Sequence, residues 1–159
     1  MNIFTIGVYN TSENEFFAKL INNRIDTFCD IRQRRGMRGH QYSFVNSIYL
    51  QKKLNTLGIH YCYFKELAPT KEIREKQWKD DAINKEIKKN RTLLGNGFIS
   101  DYRSLILENF DLSSLIDTFS LNNSNNIVLF CVEEKASACH RSLVAEELNK
   151  CFGFPIYNL

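Results

Sequence analysis

The sequence has little proline and glycine, no long apolar stretch and almost no net charge. With 2 Pro and 7 Gly among 159 residues, and 43% hydrophobic residues, it does not fit the collagen-like, linker-like or disordered classes. The longest purely apolar run, residues 127–132, is far shorter than the ~18 residues that span a bilayer. Residues 1–7 lack the basic and long apolar regions of a secretory signal. We therefore expect one domain over residues 1–159, located in the cytoplasm and without membrane contact.

The cysteines do not form a disulfide pattern, and the common nucleotide-cofactor motifs are missing. The five cysteines are odd in number and widely spaced: Cys29, Cys62, Cys131, Cys139 and Cys151. In a reducing compartment such residues are free thiols, metal ligands or catalytic groups. Neither a Walker loop nor a dinucleotide-binding glycine fingerprint is present, so the sequence gives no support for ATP or NAD.

The positive charge is confined to one segment, residues 32–40, which we call the basic segment. It carries Arg32, Arg34, Arg35 and Arg38 and no acidic residue. Without these four arginines the chain has 17 basic against 18 acidic residues, because 21 − 4 = 17. Guanidinium groups match phosphate geometry, and the nearby Tyr42 or Phe44 could stack on a base. The segment predicts a phosphorylated small molecule or a nucleic acid as partner; a solvated loop is the alternative.

Hydrophobic periodicity predicts alternating strands and helices. Strands are expected near residues 2–7, 25–31, 59–64, 127–132 and 155–159, and helices near 12–23, 46–57, 98–106, 112–119 and 139–151. A charged, helix-prone stretch covers 71–91, with Trp78, Ile83 and Ile87 as its apolar anchors, and its end (residues 85–91) is expected to be a solvated helix face. This order predicts a three-layer α/β fold: a mostly parallel sheet flanked by helices, with a helical insert before the penultimate strand.

The ionisable residues follow the predicted strands, where open parallel sheets bind their ligands. Asp30 and Arg32 end the second strand, and we expect a buried ion pair that orients a ligand, acts in acid–base chemistry or holds the loop in place. Cys131 and Glu133 end the fourth strand, and Cys139 opens the last helix. Several such groups on one edge of the sheet predict a single site.

Four interpretations of residues 131–141 stay open. Cys139, beside His140 and Arg141 at a helix start, could be a nucleophile with a lowered pKa. Alternatively, Cys131, Cys139 and His140, with Glu133, could bind a soft metal, although the seven residues between the cysteines match no common structural zinc pattern, so no cofactor is predicted. Anion binding at the helix start and a purely structural role are the other two.

Several of these pieces together resemble a known family. They are Thr5-Ile6-Gly7, Asp30-Ile31-Arg32, Phe44, Gly58-Ile59 with Tyr61, Glu66-Leu67 and Cys131-x-Glu133 followed by Cys139-His140-Arg141. The combination resembles the DUF488 family over nearly the whole chain. The resemblance implies an α/β domain whose shared polar residues meet in one pocket: Thr5, Asp30, Arg32, Cys131, Glu133, Cys139, His140 and Arg141. Ala68-Pro69 and the arginine-rich residues 34–39 depart from the family pattern beside the expected pocket.

These observations favour a cytoplasmic enzyme that acts on a nucleotide or nucleic acid. In this hypothesis the basic segment positions phosphate, Asp30 or Glu133 is the acid or base, and Cys131 or Cys139 is the nucleophile. His140 and Arg141 would orient the nucleophile or stabilise an anion. A glycosidic-bond or base-processing reaction needs such groups and no cofactor. The alternatives are a non-catalytic nucleic-acid or nucleotide-binding module that uses the basic segment, and a thiol-redox or metal-binding protein.

Overall fold

Five parallel strands form one sheet in the order β3-β2-β4-β1-β5. A computed structural model describes all of residues 1–159. The strands are β1 (Asn2–Ile6), β2 (Thr27–Asp30), β3 (His60–Tyr63), β4 (Asn126–Phe130) and β5 (Ile156–Asn158), and every pair is parallel. The predicted parallel sheet is confirmed, and β5 is an edge strand as expected.

Six α-helices flank the sheet. They are α1 (Glu13–Asn22), α2 (Ser47–Thr56), α3 (Lys71–Asn84), α4 (Asn96–Leu105), α5 (Leu112–Leu121) and α6 (His140–Phe152). Helices α3, α4 and α5 lie between β3 and β4 in the chain, so the predicted helical insert is confirmed. No helix combines the length and the apolar character that a membrane crossing requires.

The strands place alternate side chains in two separate hydrophobic clusters. Phe4 and Phe130 pack with residues of α1 and α2 on one face, whereas Ile3 and Leu129 pack with residues of α3 to α6 on the other. The period of two follows from the pleat of the strand. Helices therefore cover both faces, which confirms the three-layer α/β architecture.

Local sequence signals explain how several helices begin and end. Ser12 and Glu15 form the reciprocal capping box expected at the start of α1: the Glu15 amide donates to Ser12 Oγ (3.3 Å) and the Ser12 amide donates to Glu15 Oε2 (2.8 Å). At the other end of the chain, Gly153 (φ +72°) ends α6 in the left-handed conformation that glycine adopts readily.

The charged stretch 71–91 differs from the prediction. Helix α3 ends at Asn84, and Lys85 takes a left-handed conformation (φ +54°), so residues 85–91 are not helical. Ile83 is 78% exposed and is therefore not part of the hydrophobic core. The buried positions of α3 are Ile73, Gln77 and Asp81. Two of the three are polar, which is why hydrophobic periodicity did not identify the buried face.

Candidate functional site

The candidate site lies where the chain changes direction across the sheet. Neighbouring strands β1 and β4 are followed by helices on opposite faces, α1 after β1 and α6 after β4. The carboxyl ends of such strands are the usual ligand-binding crevice of an open α/β sheet. Cys131 directly follows β4, and its amide donates to the Ile6 carbonyl of β1 (3.3 Å). The site therefore begins on two central strands.

Arg141 holds the loop that connects β4 to α6. Its side chain is 1% exposed and donates to the carbonyl oxygens of Glu133 (2.5 Å) and Glu134 (2.8 Å) and to Thr5 Oγ1 (3.3 Å). Thr5 in turn donates to Asn158 Oδ1 (2.7 Å) on β5. Arg141 and Thr5 thus fix the loop from behind and do not line the cavity described below. Both were expected in the shared pocket, and the structure places both behind the loop, outside the cavity.

Gly7 lets the same loop pass close to β1. A Cβ at this position would lie 1.9 Å from the carbonyl oxygen of Glu133, which is backbone and cannot rotate away. The close approach therefore requires glycine for lack of space. The loop carrying Glu133 is fixed on one side by Arg141 and on the other by the strand.

Four predicted residues, Cys131, Glu133, Cys139 and His140, converge at one point, which we call the floor. Cys131 Sγ lies 3.3 Å from Glu133 Oε2, and His140 Nδ1 lies 3.9 Å from Cys131 Sγ and 3.8 Å from Cys139 Sγ. His140 Nε2 is 3.1 Å from the Ile31 carbonyl oxygen, to which it donates. All four side chains are buried. Residues eight positions apart in the sequence meet because the intervening loop folds back through the short 3₁₀ turn Ala136–Ala138.

The protonation of the floor is strongly shifted from that of free side chains. Burial opposes the charge on Cys139, yet the Cys131 thiol and the positive charges of His140 and Arg141 lower the pKa of Cys139 well below its ordinary value. The nearby Cys139 sulfur, together with burial, raises the pKa of Cys131 well above its ordinary value. Burial would lower the pKa of His140, but the Cys139 charge raises it overall. The floor is therefore suited to hold a Cys139 thiolate.

Two basic residues of the insert, which the sequence did not identify as part of the site, form ion pairs with the carboxylate of Glu133. Arg91 Nη2 lies 3.3 Å and Lys88 Nζ 3.4 Å from Glu133 Oε1. Arg91 also pairs with Asp81 of α3 (2.9 Å) and donates to the Ala138 carbonyl (3.1 Å). The prediction of a solvated helix face for residues 85–91 is wrong here, since Arg91 is 7% exposed. A lone arginine in a lysine-rich run gave no sequence signal of burial.

Asp30 and Arg32 form the expected buried pair. Arg32 Nε and Nη2 donate to the two carboxylate oxygens of Asp30 at 2.9 and 2.7 Å. The Arg32 amide donates a third hydrogen bond (3.1 Å) and Tyr61 a fourth (3.0 Å). Asp30 is fully buried and lies outside the cavity, whereas Arg32 lines it. Arg32 Nη1 is buried without a hydrogen-bond partner. The pair holds the start of the basic segment beside the cavity.

A cavity of about 650 Å³ opens above the floor and has strongly basic walls. Seven basic side chains line it: Arg32, Arg34, Arg38, Lys71, Arg74, Lys88 and Arg91. Glu133 is the one acidic lining residue. We use "the walls" for Arg34, Arg38, Lys71 and Arg74 together with the half-exposed Trp78 of α3. The cavity unites part of the basic segment with the insert and the floor.

Two of the residues expected at the phosphate lie elsewhere. Phe44 is 4% exposed and packs against Phe16 and Phe17 of α1, so a base cannot stack on it. Arg35 covers the ring of Tyr63 (4.5 Å) and does not line the cavity. Four aromatic residues do line the cavity: Tyr9, Tyr42, Trp78 and Phe98. Tyr42 and Phe98 are buried, whereas Trp78, which the sequence pattern predicts to be an apolar anchor, is half-exposed.

The floor also contains the one group of side chains that could hold a metal ion. Cys131 Sγ, Cys139 Sγ and His140 Nδ1 all lie within 4.8 Å of one another. Two thiol sulfurs and one imidazole nitrogen form a set of donors suited to soft or borderline metal ions.

Comparison with known proteins assigns the chain to a family. The family model described as "Domain of unknown function DUF488" matches residues 12–148, which is most of the chain. No curated protein and no solved structure matches the chain. The matched range includes Asp30, Arg32 and all four residues of the floor. The chain therefore belongs to the DUF488 family.

Proposed function

We propose that the protein is an enzyme that hydrolyses a bond at the base or glycosidic position of a phosphate-bearing nucleotide or nucleic acid. One observation carries the proposal: seven cationic side chains surround a floor that holds a buried carboxylate, two thiols and an imidazole. Cationic walls attract and orient an anion, and a buried carboxylate beside them performs acid–base chemistry. A cavity of about 650 Å³ falls in the size range of small-molecule sites.

The walls support the choice of a phosphate-bearing substrate. Arg34, Arg38 and Arg74 form no ion pair with a carboxylate, so their charges are available to a ligand. Trp78 offers an aromatic face beside these cations, the combination by which proteins hold a base and its phosphate.

The floor supports a catalytic role for Glu133. Its Oε1 is fixed by Arg91 and Lys88, while Oε2 points to the thiol of Cys131. Burial raises the pKa of Glu133, although Lys88 opposes this shift. A carboxylate with a raised pKa is well matched to proton transfer near neutral pH.

The five free cysteines agree with a reducing compartment such as the cytoplasm.

Removing the three unpaired wall arginines is expected to weaken nucleic-acid binding. The variant Arg34→Ala/Arg38→Ala/Arg74→Ala should bind a short single-stranded oligonucleotide less tightly. Its slope of log affinity against log salt should fall by about 2, since each lost phosphate contact in a single strand contributes about 0.7. Quenching of Trp78, the sole tryptophan, gives the measurement. Nucleoside monophosphates, titrated in parallel, distinguish a nucleotide from a nucleic-acid substrate.

The control variant removes the same charge outside the cavity. Lys19, Lys52 and Lys79 are exposed and do not line it, so their replacement by alanine should have a smaller effect on both affinity and salt slope. Equal weakening in the two triple variants, or no weakening in either, would contradict the proposed role of the walls.

Glu133→Gln is expected to keep binding and to lose conversion. The amide retains the shape of the side chain but cannot accept a proton, so turnover should fall by roughly 100-fold or more. Chromatography and mass spectrometry of incubated nucleotides and oligonucleotides give the measurement. The exposed variant Glu134→Gln is the control. Binding without conversion in the wild type would instead favour the second candidate, a non-catalytic binding module, which the free arginines of the basic segment would also explain.

A further inference from the structure

Three donor atoms of the floor have the arrangement of a metal site. His140 Nδ1 lies 3.9 and 3.8 Å from the sulfurs of Cys131 and Cys139. Donors that share a tetrahedral zinc ion are about 3.5–3.8 Å apart, given Zn–S and Zn–N bonds of about 2.3 and 2.0–2.1 Å. Both separations are therefore within a few tenths of an ångström of those that a bound ion requires.

The ring of His140 is oriented as metal ligands usually are. Nε2 donates to the Ile31 carbonyl (3.1 Å), which fixes the tautomer and turns the lone pair of Nδ1 toward the two sulfurs. A hydrogen bond from the other ring nitrogen to a carbonyl is the common outer-shell support of a ligating histidine. Ile31 directly follows β2, so the support comes from the sheet.

The three ligands lie on or beside regular elements and belong to the floor of the cavity. Cys131 follows β4, and Cys139 is the extended residue before α6, with φ and ψ of −141° and 141°. All three are more than nine-tenths buried, yet each lines the cavity. The two sulfurs lie within 4.8 Å of each other, so ionising both would place two negative charges close together in a buried position. A divalent cation between them would remove that repulsion.

We propose that Cys131, Cys139 and His140 bind a Zn²⁺ ion whose fourth position opens into the cavity. Thiolate and imidazole donors select zinc over magnesium or calcium, and three protein ligands with an open position are typical of catalytic rather than structural zinc. The seven-residue spacing matches no structural pattern because the cysteines lie at the two ends of the loop between β4 and α6, which folds back through the turn Ala136–Ala138. In this assignment the cysteines are ligands and not nucleophiles.

Glu133 is placed to act on a water at the open position. Its Oε2 lies 3.3 Å from Cys131 Sγ, while Oε1 is held by Arg91 and Lys88. The water gives one proton to Oε2, and the hydroxide forms a bond to the electrophilic atom of the substrate. The broken bond leaves its electron pair on the departing group, which takes the proton from Glu133. This step rests on the proposed function; the binding of zinc does not.

Untagged wild-type protein tests the assignment without any substrate. After removal of bound metal, titration with Zn²⁺ against a chromophoric chelator is expected to give one site per chain. Co²⁺ should give the charge-transfer absorption of thiolate ligands. In mass spectrometry after iodoacetamide treatment, Zn²⁺ should protect Cys131 and Cys139, while the exposed Cys151 reacts with or without the metal. Folding of variants does not enter these measurements.

Single substitutions then identify the ligands. Cys131→Ser, Cys139→Ser and His140→Gln should each weaken Zn²⁺ binding on the order of 100-fold or more. Cys62→Ser and Cys151→Ser are the controls and should bind as the wild type does. The assignment is overturned if the wild type binds no stoichiometric Zn²⁺ or Co²⁺, or if binding survives the loss of both Cys131 and Cys139. Nucleotide binding by the walls can succeed or fail independently of either result.

Discussion

Arg91→Ala is expected to destabilise the fold by about 3 kcal/mol, because it leaves two buried carboxylates without their main counter-ion. Arg91 pairs with Asp81 (2.9 Å) and Glu133 (3.3 Å) and also donates to the Ala138 carbonyl. Gln77 still contacts Asp81 and Lys88 still contacts Glu133, so part of the stabilisation survives. Thermal unfolding should show a midpoint lowered by roughly 10 °C for a chain of this length.

A surface arginine provides the matched comparison for Arg91. Arg103 pairs with Glu146 and Glu147 but has a side chain that is 39% exposed. Exposed pairs contribute about 0–1 kcal/mol, so Arg103→Ala should change stability little. If the two variants lose the same stability in urea unfolding, Arg91 does not join the insert to the floor in the way described.

Asp30→Ala is expected to lower the free energy of unfolding by about 3–5 kcal/mol, because it leaves a buried guanidinium unpaired. Arg32 is 2% exposed, and three of its four hydrogen bonds go to Asp30. Tyr61 loses its acceptor as well. Denaturant unfolding gives the measurement, and the basic segment, which begins at Arg32, should become more accessible to trypsin.

A double variant separates the ion pair from the packing around it. Asp30→Leu/Arg32→Met removes both charges and should be more stable than Asp30→Ala, since well-packed apolar residues can replace a buried pair. Glu75→Ala, which breaks the exposed pair with Lys71, should stay within about 1 kcal/mol of the wild type. A double variant no more stable than Asp30→Ala would show that the pair's charges are not the source of the loss.

The sequence predicted the parts of the fold that depend on period and on chain order. Alternating strands and helices led to the parallel sheet, and strand-end positions brought Cys131, Glu133, Cys139 and His140 together. Asp30 and Arg32, two residues apart at a strand end, formed the expected pair. Each of these inferences used neighbours in the chain or the common edge of a parallel sheet.

The contribution of the insert could not be predicted in the same way. Helix α3 buries Gln77 and Asp81 because Gln77 accepts a hydrogen bond from the Gly95 amide and Asp81 pairs with Arg91. These partners come close in space only when the insert folds. Trp78, Ile83 and Ile87 satisfied a hydrophobic pattern and are nevertheless exposed. Phe44 shows the opposite error: it was expected to be accessible to a base and is buried. Its contact with Phe16 is a tertiary one that the local sequence does not reveal.

The narrow space at Gly7 has a consequence for the thermodynamics of ligand recognition. With β1 against the Glu133 carbonyl and Arg141 behind the loop, the floor is preorganised and has little conformational freedom to lose on binding. The walls are long arginine and lysine side chains, each of which loses about 0.5–1.5 kcal/mol of rotamer entropy when immobilised. Single substitutions of wall residues should therefore change ligand affinity by small amounts each. A substitution at Gly7 should instead displace the loop that carries Glu133 and so disturb all the residues of the floor together.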